Sequence, residues 1–480
     1  MKRHIQNVHV ALAAIFFSLL AISSATAQSF ANLHTFAGFD GANPQAGVIF
    51  TNNVLYGTTR NGGSGLPGED GTVFRLNSNG SGFTNLYSFT GGTDGGQIYS
   101  SLVLWGTTLF GTSIFGGASN SGCIFSIQTN GTQLYNIHSF GDDFFDTNID
   151  GTYPNGGLQM VGNTLYGTCG GGGTEDWGNV FSCNTNGLLF EFTNLLNFNL
   201  TNGQYPAGVI VSGSTIYGIS SDGGTNSSGD YSGYGCIFSM KTDGSLYSNL
   251  YDFTSAIYTN PTNSDGAFPG CAPTLVGNTL YGTTTYGGNF ANGTIFKINT
   301  DGSAFTVLHY FSATNGIADT NIDGDKPEST LLYWDNALFG TTSRGGKFGN
   351  GTLFKINLDG SGFTTLHTFS STNNASMTNS DGADPLGNLI VASNTLYGTT
   401  SMGGTNADGT IYAVTFPLQL GITLSGTNVV LFWPATDPGF NLQYATSLTP
   451  PVTWNTIPAT QTIVTNTASP PGLYYRLMHP

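Results

Sequence analysis

Acids and aromatic rings, rather than nucleophiles, are the chemically distinctive side chains of this chain. Asp146-x-Asn148-x-Asp150-Gly151 and Asp319-x-Asn321-x-Asp323-Gly324 both reproduce the first half of an oxygen-rich calcium loop. In such a loop alternate side chains converge on one ion and Gly permits the sharp bend. The twelfth position, where a bidentate Glu is needed, holds Gly157 and Thr330, so the expected Ca2+ site is partial, with Glu328 a nearby extra ligand. Such a site would bind at about 10⁻⁴ to 10⁻³ M, as in extracellular modules. Asp-Gly recurs at Asp40, Asp94, Asp265 and Asp381, with Asn202-Gly203 at a seventh position. A step that repeats so evenly reads first as a turn former.

The chain has only four Glu, and the non-repeating acids Asp142-Asp143 and Glu175-Asp176 are the nearest thing to a glycosidase-like carboxylate pair. Their spacing singles out neither. No Ser-His-Asp phrase, phosphate loop or nucleotide fingerprint is present, so no catalytic residue is assigned. Trp177, Tyr231, Tyr234, Tyr286, Phe290 and Phe348, with Phe144 and Phe145, fall instead in loops rich in Asn, Ser and Gly. Flat rings beside amides and hydroxyls suit sugar faces or peptide segments, and the first six are the ligand-binding candidates; the alternative is that they pin their own loops. His34, His138, His309 and His367 share one position in a repeated strand and read as packing between units.

Five cysteines cannot all pair with one another. Cys169 and Cys183 end successive strands and are the disulfide candidate, while Cys123 and Cys236 occupy one repeat position, where other copies carry Thr, and read as buried structural thiols. No Cys-x-x-Cys suggests zinc or thioredoxin-like chemistry.

These residues hang on a repeat. An aromatic-Gly pair returns at Tyr56, Phe110, Tyr166, Tyr217, Tyr281, Phe339 and Tyr397, followed by Gly-Gly and a Gly-x-β-branched-aromatic strand. A unit of this length cannot bury its own apolar face and must stack on neighbours. The fifth copy resolves into four runs, Thr274 to Val276, Thr279 to Thr284, Gly293 to Ile298 and Phe305 to Phe311, separated by Gly-Asn, Gly-Gly and Asp-Gly turns. That is the pattern of a radial four-stranded blade. The outer run first appears at Phe30 to Phe36, ahead of any blade, and is missing from the seventh unit. The fold class expected is therefore all-β: a seven-bladed β-propeller over residues 28–416, its N-terminal strand closing the last blade. The third-to-fourth-strand interval is the same 12 residues in every repeat but the third, and loop length otherwise varies in the second-to-third-strand loops and the links between blades, which emerge on one rim, where function is usually carried.

Residues 417–480 have a different β texture and read as a small sandwich-like accessory domain, with Leu431-Phe432-Trp433 and Tyr474-Tyr475-Arg476 resembling strands B and F of a fibronectin type III module. Residues 1–27 read as a secretory signal: Lys2-Arg3, an apolar core from Val10 to Ile22, and Ala25-Thr26-Ala27. That core is too short for a membrane span. A formal net charge of −16 argues against nucleic acid or an anionic membrane as partner.

The phrases Leu55-Tyr56-Gly57-Thr58-Thr59, Gly71-Thr72-Val73-Phe74 and Leu396-Tyr397-Gly398-Thr399-Thr400 resemble the GloVer tandem repeat of exported bacterial "choice-of-anchor" proteins, from Phe30 to Phe416. The resemblance implies shape and an extracellular or surface location, and no activity. The function expected is that of a secreted, noncatalytic binding module recognising an extracellular polysaccharide or surface polymer. The alternatives are a structural envelope or matrix component, and a secreted carbohydrate-active enzyme.

Overall fold

The computed structural model describes residues 28–64, 70–141, 149–185, 190–225, 233–254, 262–315, 319–373 and 375–416, and within the C-terminal segment 421–425, 428–432, 441–445, 453, 455–457, 463–467 and 474–478. Seven four-stranded sheets form the blades of a propeller, spanning 49–88, 103–139, 159–197, 204–252, 274–310, 332–368 and 390–415, with Ser29–Thr35 as the outer strand of the last. Blade 5 consists of Thr274–Val276, Thr279–Thr284, Thr294–Asn299 and Thr306–Tyr310, within one residue of the turn-based reading at each end of every strand. The larger compact unit of the chain, Ala31–Val391 with Leu396–Ala413, carries the aromatic core and the rim.

The recurring aromatic-Gly pair has a packing cause. The third-strand ring of each blade (Phe74, Phe125, Phe181, Phe238, Phe296, Phe354, Tyr412) is fully buried. In the first six blades its cross-strand partner is the repeat Gly, as in Gly57 opposite Phe74 and Gly282 opposite Phe296. A methyl at the Gly would stand 2.2 to 2.6 Å from the ring in all seven copies, closer than any real contact. Gly282→Ala is accordingly expected to cost about 1–3 kcal/mol by overpacking. An unchanged midpoint in urea would remove this account of the motif.

The buried ring is covered from the preceding blade by the Phe that follows its outer strand. Phe36 packs on Phe74, Phe89 on Phe125, Phe140 on Phe181, Phe198 on Phe238, Phe253 on Phe296, Phe311 on Phe354 and Phe369 on Tyr412. Centroid separations are 5.0 to 5.6 Å and interplanar angles 57 to 67°. Seven blades have seven such junctions, so the ring is closed, and Phe36, beside the first strand, makes the last of them.

Blade 4 departs from the short inner strand of its neighbours. Its first strand, Gln204–Ser212, has nine residues and pairs as far as Gln204 opposite Asp222, with an irregularity at Pro206/Gly208. The link before it is the shortest, so the chain runs straight onto the sheet.

The expectation that Cys169 and Cys183 face each other is corrected by register. Cys169 lies opposite Asn179 and Cys183 opposite Leu165, at the two ends of the hairpin, and both thiols are free. Cys123 and Cys236 are buried where other blades bridge the second and third strands by a hydroxyl pair such as Thr284–Thr294 at 2.9 Å; their partners are Ser113 at 3.2 Å and Ser220 at 3.1 Å. Burial pushes the Cys123 thiol up to about 11 and that of Cys236 to about 12, which leaves both unreactive.

The C-terminal segment holds two three-stranded sheets. One joins Gly421–Ser425, Asn428–Phe432 and Ile463–Thr467; the other joins Asn455–Ile457, Asn441–Ala445 and Tyr474–Met478. Among the described residues no helix is long and apolar enough to cross a membrane.

Candidate functional site

Each link enters its blade through one backbone device. After Asp-Gly or Asn-Gly and one spacer comes a residue in the left-handed region: Asn43, Gln97, Tyr153, Tyr205, Phe268, Lys326 and Asp384, with φ between 52 and 57°. Non-glycine residues rarely sit there, and each costs of order 1 kcal/mol or more unless its surroundings hold it. What holds it is a hydrogen bond to the preceding blade. Each of the seven donates its N–H to the carbonyl just before that blade's third-strand Gly, at 2.7 to 3.2 Å. In six links the next residue is Pro, whose ring seats against that Gly; a Cβ on Gly293 would lie 2.8 Å from Pro327.

The backbone is thus the same in all seven links while the side chain is almost free to differ. It is aromatic in three consecutive links and polar or charged in the rest. Tyr153, Tyr205 and Phe268 each meet a ring of an adjoining loop: Phe115 with Tyr153, Trp177 with Tyr205 and Tyr234 with Phe268, all at 5.6 Å, and Phe268 meets Tyr286 at 5.9 Å. An aromatic arc therefore crosses the rim over blades 3 to 5. Tyr153, Tyr205 and Tyr286 keep 47, 41 and 36% of their surface exposed, while Trp177 is half-buried. Phe290 and Phe348 are exposed in the second-to-third-strand loops of blades 5 and 6, Phe348 with the Lys347 ammonium 5.1 Å from its ring. Tyr234 is only 8% exposed and belongs to the core, so its expected role on the surface is corrected: it supports Phe268 from below. Tyr231 lies outside the described residues. Tyr153, Tyr205 and Phe268 escaped the sequence reading, which followed loop length; their signal was three rings in a row at one fixed repeat position.

The arc gives way to charge. Lys326 stands 5.1 Å from the Tyr286 ring, and around it are Asp325, Glu328, Arg344 and Asp384. Asp325 occupies a buried position that holds Ala in three other links, Ala42, Ala267 and Ala383. Burial pushes its carboxyl up to about 6, partly offset by Lys326 and Arg344. Burial also raises Glu328 and Asp384, against hydrogen bonds from Ser343 and Ser401 respectively. On the far side Asn43 accepts from Asn61 at 2.9 Å, and the Arg60 guanidinium lies 4.7 Å from the Tyr99 ring.

Two residues beyond each left-handed residue the chain reaches the propeller axis. Gln45, Tyr99, Asn155, Ala207, Gly270, Glu328 and Leu386, one per blade, line a cavity of about 520 Å³ together with further link residues.

A family model described as the Gloeobacter/Verrucomicrobia repeat matches residues 19–231 and 224–412. The chain belongs to this repeat family. No curated protein matches it. Among solved structures it is similar to a nidogen/laminin complex (12% identity, 62% of this chain and 91% of that one, TM-score 0.36). It is also similar to an oligogalacturonate lyase in complex with manganese (11%, 82% and 94%, 0.44) and to TolB from Acinetobacter baumannii (12%, 64% and 62%, 0.38). Likenesses this distant carry no inference about ligand or activity.

Within the Gloeobacter/Verrucomicrobia repeat of this chain, the Asp-Gly acids and the outer-strand histidines turn out to be partners. His34, His138, His309 and His367 place Nε2 2.9 to 3.0 Å from Asp40, Asp150, Asp323 and Asp381. At the same position the Tyr87 and Tyr251 hydroxyls donate to Asp94 and Asp265 at 2.9 and 2.8 Å. Where the outer strand offers Leu196, the link carries Asn202, which satisfies itself on Asn199 N–H and Asn197 C=O. The ring at this position also stacks on the next blade, His34 on Phe83, His138 on Phe192, Tyr251 on Phe305 and His309 on Phe363, at 3.8 to 3.9 Å. A dyad that recurs around the ring and is spent on packing is a fastening between outer strand and link.

The calcium-like loops share these atoms. Asp323 also accepts from the Ser312 N–H and hydroxyl, and the Asn321 amide oxygen accepts from Gly324 and Gly346 at 2.9 and 2.7 Å. Asp319 is exposed, with φ 46°. Asp150 accepts from Gly141 at 3.2 Å, while Asp146 and Asn148 lie outside the described residues. Among the described residues no group of three or more His, Cys, Asp or Glu is placed to hold a metal ion.

Proposed function

We propose that the protein is an exported, noncatalytic binding module whose link rim engages a glycan or another extracellular polymer. The observation that carries this reading is the aromatic arc: Tyr153, Tyr205 and Phe268 on three successive blades, held on a backbone fixed by hydrogen bonds to the neighbouring blade, with Tyr153, Tyr205 and the adjoining Tyr286 exposed. Rings offered at blade spacing suit successive units of a linear polymer better than one compact ligand. The leader-like start of the chain supports export, and the acidic balance turns polyanions away.

The test is a polysaccharide and glycan array with residues 28–480, with and without millimolar calcium. A stacked ring typically contributes about 0.5–1.5 kcal/mol. Tyr205→Ala is therefore expected to weaken binding several-fold with melting unchanged. Failure of every glycan to bind, together with self-association of the protein, would favour a structural envelope component. A hydrolytic reading draws on the three upward-shifted carboxyls around Lys326, since a proton-donating acid needs such a shift. Release of reducing ends from a bound polysaccharide, lost in Glu328→Gln, would establish it in place of the binding role.

A further inference from the structure

We propose that the axial cavity is a subsite for the terminal residue of a neutral polysaccharide, so that the polymer lies across the aromatic arc and inserts one chain end at the centre of the ring. This deepens the glycan reading above and rests on it.

The size comes first. About 520 Å³ lies inside the ~300–1,000 Å³ range of small-molecule sites and suits a mono- or disaccharide end. The walls come next. They present the amides of Gln45 and Asn155 and the amide nitrogen of Asn388, whose oxygen takes the Thr330 N–H, with Ser and Thr hydroxyls and small side chains between them; Gln159 is held on the Val211 backbone. Each sugar hydroxyl is both donor and acceptor, and an amide offers both in one group, so such a lining answers a polyhydroxylated ring. No Lys or Arg lines the cavity, which disfavours a phosphate or carboxylate, while Leu158, Val209, Ile210 and Leu386 offer apolar surface to the C–H faces of a sugar.

Two groups make the lining directional. Tyr99 and Glu328 come from the links into blades 2 and 6, three steps apart on a ring of seven, and so approach from nearly opposite sides. The Tyr99 ring is steadied by Arg60, whose guanidinium donates to Gln97 at 3.5 Å. A flat ring on one side and a carboxyl across from it are what a sugar needs for stacking and for fixing a hydroxyl pair.

The links crowd around the axis: a Cβ at Gly47 would fall 2.1 Å from the Asn388 carbonyl oxygen, and the Thr330 N–H donates to the Asn388 side chain at 2.9 Å. These contacts close the wall between the links of blades 6, 7 and 1, so a polymer reaches the cavity along the axis rather than between those blades.

The experiment is calorimetric titration of residues 28–480 with neutral β-glucan, mannan and xylan oligosaccharides of two and six units. The expected result is that at least one series binds at both lengths, with the disaccharide displacing the hexasaccharide. Ala207→Trp, which fills the cavity without removing a polar side chain, and Glu328→Gln should each abolish disaccharide binding and weaken the hexasaccharide about tenfold or more, with melting unchanged. If Ala207→Trp binds the hexasaccharide like the parent while Tyr205→Ala does not, the cavity is not used and the rim reading stands alone. Binding of the hexasaccharide without any binding of the disaccharide would also overturn the subsite. If the parent binds no member of the panel, both readings fall together.

Discussion

A protein beginning at residue 37 is expected to elute as aggregates and to lose its cooperative melt. Its missing segment, 28–36, supplies the outer strand of blade 7 and the Phe36 ring, which is fully buried against Phe74 of blade 1. Without it the Thr410–Thr415 strand becomes an open edge, a template for pairing with other chains. Truncating the ring alone, in Phe36→Ala, should cost about 3–5 kcal/mol, a large part of the ~5–15 kcal/mol by which a protein is stable. Light scattering and calorimetry on both variants decide the matter. A monomeric truncated protein melting with the parent would refute closure by the first strand.

Asp323→Ala should be nearly as damaging, at about 3 kcal/mol, because it strands the His309 ring, the Ser312 amide and the Ser312 hydroxyl in half-buried positions at once. The same acid gives a pH dependence of definite sign. Burial alone would raise Asp323 and Asp381, but hydrogen bonds from His309 and His367 and from Ser312 and Ser370 outweigh it and lower both. A lowered carboxyl lends its stability above the unfolded value near 3.9 and loses it as pH falls through the folded one. His34, lowered chiefly by burial, likewise favours the fold above about 6.5 and works against it as the solution is acidified. Asp325 acts in the opposite sense. Raised to about 6, it gains on acidification from pH 7 toward 5. Glu328 and Asp384, also raised by burial, act in the same sense as Asp325, so melting temperature should hold or rise between pH 7 and 5 and fall steeply below about 4. Asp325→Asn should melt higher than the parent at pH 7, with the gap closing toward pH 5. A parent that melts identically at pH 3 and pH 7 would rule out the fastening role of the His–Asp pairs.

Blade number, strand bounds and ring closure were legible in the sequence because the residues that make them repeat: the Gly that clears room for Phe296 occurs in every copy, and so does the ring that covers it. The His–Asp fastening was written there too, but jointly. His or Tyr at one position goes with Asp at another, and Leu196 goes with Asn202, so neither position discloses the pairing when read by itself. The two members lie 6 to 14 residues apart and in different elements, and only the fold shows that they meet. The site was harder for the opposite reason. Tyr153, Tyr205 and Phe268 gain their meaning from a left-handed backbone and a common direction around an axis, and only their shared repeat position, three residues after the Asp or Asn of the Asp-Gly or Asn-Gly step, marks either in the sequence. Tyr234 read as a surface ring because its neighbours are polar, whereas its contacts are made with blade 5.

The hydrogen bond from Phe36 N–H to the Gly409 carbonyl joins residues 373 positions apart. Closing so long a loop is not ruinous in entropy, since each doubling of length adds only about 0.6 kcal/mol, but it is slow, because no local contact can bring the ends together early. Blades 1 to 6 have all their strands in chain order and can assemble as they emerge, while blade 7 must wait for a strand released first. Stability is spread over seven similar junctions, whereas the rate of reaching the native state is set at one. A substitution at that junction should show itself in refolding kinetics out of proportion to its effect at equilibrium, and the open six-bladed arc that precedes closure is the species from which aggregation would start.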